Sequence, residues 1–181
     1  MAILATNAVQ IARFANGLYG IQLGSATNAA VLADITAAGG LDNALNSYYT
    51  SSFGTKTSAQ VAAIMVANLG IVAGQNGLTA AAVTDATNYI VATLNAATAS
   101  TKGVAVKNIL NLWANIADDA NLSATYGAAA TAWDAQVAAA QLYTASNTAD
   151  ISITAGAAIG QTFTLTTGVD TVTGTAGNDT I

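Results

Sequence analysis

The sequence predicts a mainly α fold, a compact bundle of about seven short helices that gives way near residue 149 to a short β segment. Apolar residues recur at three- and four-residue spacing through residues 1–148, and abundant alanine favours the helical state along the same stretch. From Asp150 the period falls to two: Ile151-Ser152-Ile153 and residues 162–165 alternate, and β-branched Thr and Val accumulate. The chain therefore divides into a helical domain, residues 1–148, and a β-rich segment, residues 149–181.

The first helix follows Asn7, a capping residue type, and carries Ile11, Phe14, Ala15 and Leu18 on one face. A second is expected after Thr27-Asn28, over residues 31–38, stopped by Gly39-Gly40. A third runs from Leu41 or Asp42 to about Ser52. Ser58 is expected to cap the fourth, whose stripe is Val61, Ile64, Met65, Leu69 and Val72. Thr79 opens the fifth, with Val83, Ala86, Ile90, Leu94 and Ala97. The sixth has the cleanest periodicity, through Val106, Ile109, Leu110, Trp113, Ile116 and Ala117. The seventh covers about residues 127–146, with Trp133, Val137 and Ala140 inward. Short helices with ordinary loops point to a bundle rather than a coiled coil. An echo between residues 15–21 (Ala-Asn-Gly-Leu-Tyr-Gly-Ile) and residues 67–71 (Ala-Asn-Leu-Gly-Ile) fits either a duplicated unit or coincidence in an Ala/Asn/Gly-rich chain.

Composition narrows the chemistry. Charged residues make up 7% of the chain against a usual quarter, and all nine acidic residues are Asp. The cations are Arg13, Lys56, Lys102 and Lys107, for a net charge of -5. Four scattered cations cannot neutralise a run of phosphates, so no nucleic-acid partner is expected. Mean hydropathy is +0.49, yet no apolar run approaches the 18 residues of a membrane span, so the chain is not expected to cross a membrane. Cysteine and histidine are both missing, which removes thiolate sites and the commonest general base. No Ser-x-x-Lys pattern or phosphate loop occurs, and the chain is not expected to be an enzyme. Residues 1–7 lack a basic and then apolar leader, so export, if any, is expected to use a signal elsewhere.

The tail is the most specific stretch. Gly174-Thr175-Ala176-Gly177-Asn178-Asp179-Thr180-Ile181 comes close to one copy of a nine-residue glycine/aspartate repeat that winds calcium-binding parallel β-rolls. Glycine permits the tight turns, while carbonyls and carboxylates supply hard oxygen ligands. Asp170, Asn178 and Asp179 are thus candidate calcium ligands, although one terminal copy supplies only half of a shared site.

Residues 162–181 resemble the junction found in type I-secreted RTX surface-layer proteins of Gram-negative bacteria, where a helical domain passes into a calcium-binding β-roll. Tyr19-Gly20 with Leu23-Gly24, and Ala132-Trp133 leading to Val137 and Tyr143-Thr144, look like the Ala/Asn-rich helical domains of such proteins. The helical part is also similar to a widespread bacterial helical repeat domain of unassigned function, without the proline usual there. The resemblance implies a helical anchoring and assembly domain followed by the start of an RTX-like β-roll. It implies a secreted protein on the bacterial cell surface, held to the outer membrane by lipopolysaccharide O-polysaccharide. It also implies calcium and a homo-oligomeric lattice.

Other candidates come from the residues themselves. Asp118 and Asp119 form the only adjacent acidic pair, unfavourable at a helix C-terminus unless calcium or a subunit contact compensates, or unless the end is simply solvated. Tyr48 and Tyr49 adjoin a polar loop, and one ring must face away from whatever the other packs on. With Lys102 and Lys107 they are the candidate glycan or subunit contacts. Trp113 and Trp133 lie on apolar stripes and are expected in the core. Two alternatives stay open: an assembly module that binds no glycan, and the helical head of an RTX adhesin or secreted hydrolase.

Overall fold

The computed structural model describes residues 7–153. Among them are seven α-helices: α1 Asn7–Phe14, α2 Ser25–Ala37, α3 Leu41–Phe53, α4 Ser58–Asn68, α5 Ala80–Ala96, α6 Lys102–Ala114 and α7 Ser123–Ser146. Two short strands, β1 Ile21–Gln22 and β2 Ile151–Ser152, pair antiparallel with Ile21 opposite Ser152. The expected helical bundle is present; the expected β-roll falls on residues outside the described range.

The apolar stripes place the helices, and local chemistry sets their ends. α1 does not run on to Leu18: Ala15–Tyr19 forms a buried π-helical turn, where Asn16 and Gly17 favour the α-helix poorly. Gly20 (φ +65°) stops it, and Gly70 (φ +67°) stops α4 in the same left-handed conformation, so the echoed segments share a helix-stop device. α2 starts at Ser25, before the expected Thr27, and buries only Ile35. Thr57, not Ser58, caps α4: its side chain accepts from the Gln60 N–H at 3.2 Å while the Gln60 side chain accepts from the Thr57 N–H at 2.9 Å. Val72 lies beyond α4 and is 38% exposed, so it leaves the expected stripe. Thr79 caps α5 as expected. α6 ends at Ala114 and a 3₁₀ turn, Ile116–Asp118, follows, so Ile116 packs inward from outside the helix.

Most buried side chains form one core, with Leu18, Val61, Met65, Leu94, Val106 and Trp133 almost wholly enclosed. A smaller cluster (Ile11, Ala15, Leu23, Ile35 and Ala44) joins α1, α2 and α3. α6 touches α1, α3, α5 and α7. It approaches α3 so closely that a Cβ on Gly103 would fall on the Leu45 carbonyl. No side chain caps the start of α6 from its own N-cap residue; instead Asn46 of α3 accepts the Val104 N–H at 3.0 Å.

The exit from α7 is fastened to the entry of α2. Asp150 accepts the Gly24 N–H at 2.7 Å and the Thr27 hydroxyl at 2.9 Å, placing a carboxylate at the positive end of α2. Ser25 N–H donates to the Asn147 carbonyl at 2.7 Å, and Ile153 N–H to the Gly20 carbonyl at 2.6 Å. A Cβ on Gly24 would collide with the backbone of Thr148 and Ala149. The clasp thus depends on Gly24 as much as on Asp150.

Two glycines separate propensity from packing. Gly103→Ala should destabilise by about 1–3 kcal/mol, because overpacking against a backbone carbonyl outweighs the helical preference of alanine. At Gly127 in α7 a Cβ meets only ordinary contacts, 3.5 Å from Ser123, so Gly127→Ala should stabilise by about 0.5–1 kcal/mol. Urea unfolding of both variants, read as shifts of midpoint at constant slope, checks the pair. Asp150→Ala should cost about 1–2 kcal/mol and speed proteolysis around residues 147–153, measured by limited digestion against wild type.

Candidate functional site

A cleft of about 250 Å³ opens between α1, the π-turn, β1, α2 and α3. Its floor is buried and apolar, with Ile11, Phe14 and Leu45. Its more exposed lining carries hydroxyls: Thr27, Tyr19, Tyr48 and Ser52. None of its lining residues is ionised at neutral pH. An apolar floor under a few placed polar groups is the usual make-up of a small-molecule site.

The π-turn carries Tyr19 to the cleft, where its ring packs edge-on to Phe53 at 5.1 Å. Its hydroxyl lies 3.1 Å from the Tyr48 carbonyl and 3.0 Å from the Ser52 Oγ. Tyr48 projects from the exposed side of α3 and donates to Asp34 Oδ2 at 2.6 Å. Burial and this bond push its ionisation up to about 12. Both tyrosines therefore keep their protons, and each oxygen can still accept from a ligand hydroxyl.

The Tyr48–Tyr49 pair splits as a helix requires. Tyr49 is 2% exposed, packs beside Phe53 at 6.0 Å and has its hydroxyl buried, so of the two candidate rings only Tyr48 lines the cleft. Lys107 forms an ion pair with Asp42, and Lys102 donates to Ser58 Oγ at 3.4 Å. These lysines tie α6 to α3 and α4, and neither lines the cleft. Trp113 and Trp133 are both in the core, as expected.

Asp118 and Asp119 have different surroundings. Asp119 Oδ1 accepts the N–H groups of Asn121 and Leu122 at 2.8 and 2.9 Å, organising the turn into α7. Asp118 is exposed, and its charge helps burial push Asp134 up, against the opposing pull of Arg13. No group of three or more acidic side chains close enough to hold a metal occurs among the described residues. Asp170, Asn178 and Asp179 lie outside the described residues.

A polar seam without a sequence motif joins α1, the π-turn, α6 and α7. Arg13 donates to Asn111 Oδ1 at 3.0 Å, Asn111 donates to Gln10 at 3.4 Å, and Gln136 donates to the fully buried Asn16 at 2.6 Å. Burial pulls the Arg13 ionisation down, partly offset by Asp134. A lone arginine in the otherwise uncharged α1 was the available signal. The chain matches no protein-family model, no curated protein and no solved structure. No helix among the described residues is long and apolar enough to cross a membrane.

Tyr48 gives the cleft a pH signature. Above the ordinary tyrosine value of 10.0 the unfolded chain loses a proton that the folded chain holds to about 12, so stability falls as pH rises through that window. Thermal unfolding across this range should show the decline. Tyr48→Phe should flatten it without abolishing it, because burial also raises Tyr19, Tyr49 and Tyr126.

Proposed function

We propose that this chain is the helical anchoring and assembly domain of a calcium-dependent surface-layer protein. In this reading it holds a lattice to the outer membrane through lipopolysaccharide O-polysaccharide and makes subunit contacts. It is a structural role rather than an enzymatic one. The glycine/aspartate stretch at residues 174–181 carries the proposal, and calcium enters through Asp170, Asn178 and Asp179.

The cleft at Tyr48 supports the choice of glycan. With a net charge of -5, the chain is repelled by the phosphate-rich base of lipopolysaccharide. Neutral O-chain sugars carry no such penalty, and an uncharged cleft with tyrosine rings and hydroxyls suits them.

The helix surfaces support assembly. Thr36, Thr84, Thr87, Thr93 and Thr131 each donate a hydroxyl to the carbonyl four residues back. Their hydroxyls are thereby satisfied within the helix. Short Thr and Ala side chains also lose little rotamer entropy when such faces meet. Leu142, 73% exposed, and Ile151, 43% exposed, favour the second reading, assembly without glycan.

Co-sedimentation with purified lipopolysaccharide, with and without added calcium, tests the anchor. Binding should depend on the O-polysaccharide and weaken about tenfold in Tyr48→Ala, the loss of roughly one well-packed aromatic contact. No binding in either condition would remove the anchoring role. Ordered arrays in electron micrographs without lipopolysaccharide would then favour the second reading.

A further inference from the structure

A second cleft, of about 230 Å³, lies among α5, α6 and the start of α7. Its lining differs from the first in charge. Tyr89 stands at the surface, 50% exposed; Trp113 is 5% exposed; Tyr126 is half-buried. The Trp113 and Tyr126 rings sit 5.8 Å apart at 64°, an edge-to-face pair that cannot cover both faces of both rings. The Tyr126 hydroxyl already donates to the Ala82 carbonyl at 3.0 Å.

Asp85 is the one ionised residue in this lining. Its carboxylate is exposed and forms no ion pair or hydrogen bond among the described residues. None of the four cations of the chain lines the cleft. Burial, with the charge of Asp85, raises the ionisation of Tyr126, so the carboxylate acts on the same ring that walls the cavity. The remaining walls are aliphatic, among them Leu69, Ile90 and Ile109.

We propose that this cleft binds a small alkylated ammonium group, with Asp85 balancing its charge and Tyr89, Trp113 and Tyr126 supplying π-surface. A cation over aromatic rings is attracted by their quadrupoles, and a neighbouring carboxylate adds to the attraction. Aliphatic walls select a methylated head over a strongly hydrated primary ammonium. The volume falls below the ~300–1,000 Å³ of sites for drug-sized ligands, which suits a head group. The proposal is independent of the glycan reading and uses a different cavity.

The test is titration of the full chain with choline and with its neutral carbon isostere, 3,3-dimethylbutanol, followed by tryptophan fluorescence and by NMR. Choline should bind at least about tenfold more tightly than the isostere, the size of a desolvated cation–π contribution. Asp85→Asn and Tyr89→Ala, both at exposed positions, should each weaken choline about tenfold, while Tyr48→Phe leaves it unchanged. Phosphatidylcholine vesicles identify the source: co-sedimentation assigns a lipid head group, and binding of free choline alone assigns a soluble ligand. Equal binding of choline and its isostere, or no response to millimolar choline, would overturn the proposal. A sugar that displaces choline competitively, with Asp85→Asn without effect on choline, would assign the cleft to neutral glycans instead. Lipopolysaccharide binding retained in Asp85→Asn would separate the two sites.

Discussion

Gly103 presses against the backbone of α3 at Leu45, and the interior is arranged around that approach. Because nothing intervenes, α6 can reach α1, α3, α5 and α7 together. Gly17 does the same from the π-turn, where a Cβ would strike the Leu110 side chain. Both clefts inherit this geometry. The side chain of Leu45 floors the first, while Ile109, Leu112 and Trp113 of α6 wall the second. Any side chain that lifted α6 off α3 would therefore disturb two cavities at once, as expected of an interior packed to crystalline density.

Alanine-rich helices pack closely, but small side chains specify little about which face meets which. The polar seam supplies part of that specification. Asn16 is fully enclosed and joined to Gln136 at 2.6 Å, so sliding α7 against the π-turn would strand a buried amide. The wider turn at Ala15–Tyr19 also brings Asn68 to the Gly17 carbonyl at 3.3 Å. Such contacts fix orientation where a methyl group would tolerate several.

The helices were readable because their stripes are long and periodic, and α6 and α7 bury Trp113, Trp133, Val137 and Ala140 as that pattern requires. Their ends were harder to read. Thr57 and Gln60 form a capping box visible in the sequence, yet the adjacent Ser58 was an equally good capping type, and only geometry separates them. The division of Tyr48 from Tyr49 was legible, since neighbours on a helix cannot share a face, but not which ring goes inward. The clefts were illegible for a different reason: the first combines residues from 11 to 52 and the second from 69 to 126, so neither has a local signature. The clasp at Asp150 spans 126 residues to Gly24 and shows no period at all.

Charge is scarce enough in this chain that each carboxylate among the described residues can be followed. Asp34 holds Tyr48, Asp42 pairs with Lys107, Asp119 orders the entry to α7, and Asp150 closes the clasp. Asp134 sits near Arg13, with Asp118 raising it further. Asp85 has no such structural task, and it borders the cavity with the most exposed aromatic ring. Leaving an acidic side chain unpaired beside apolar walls gains the fold little, because surface carboxylates contribute stability only through partners. The two clefts thus differ in charge: no acidic or basic side chain lines the first, and Asp85 lines the second. A neutral hydroxylated chain can enter the first without displacing charge, whereas the second favours a ligand that brings a positive charge with it.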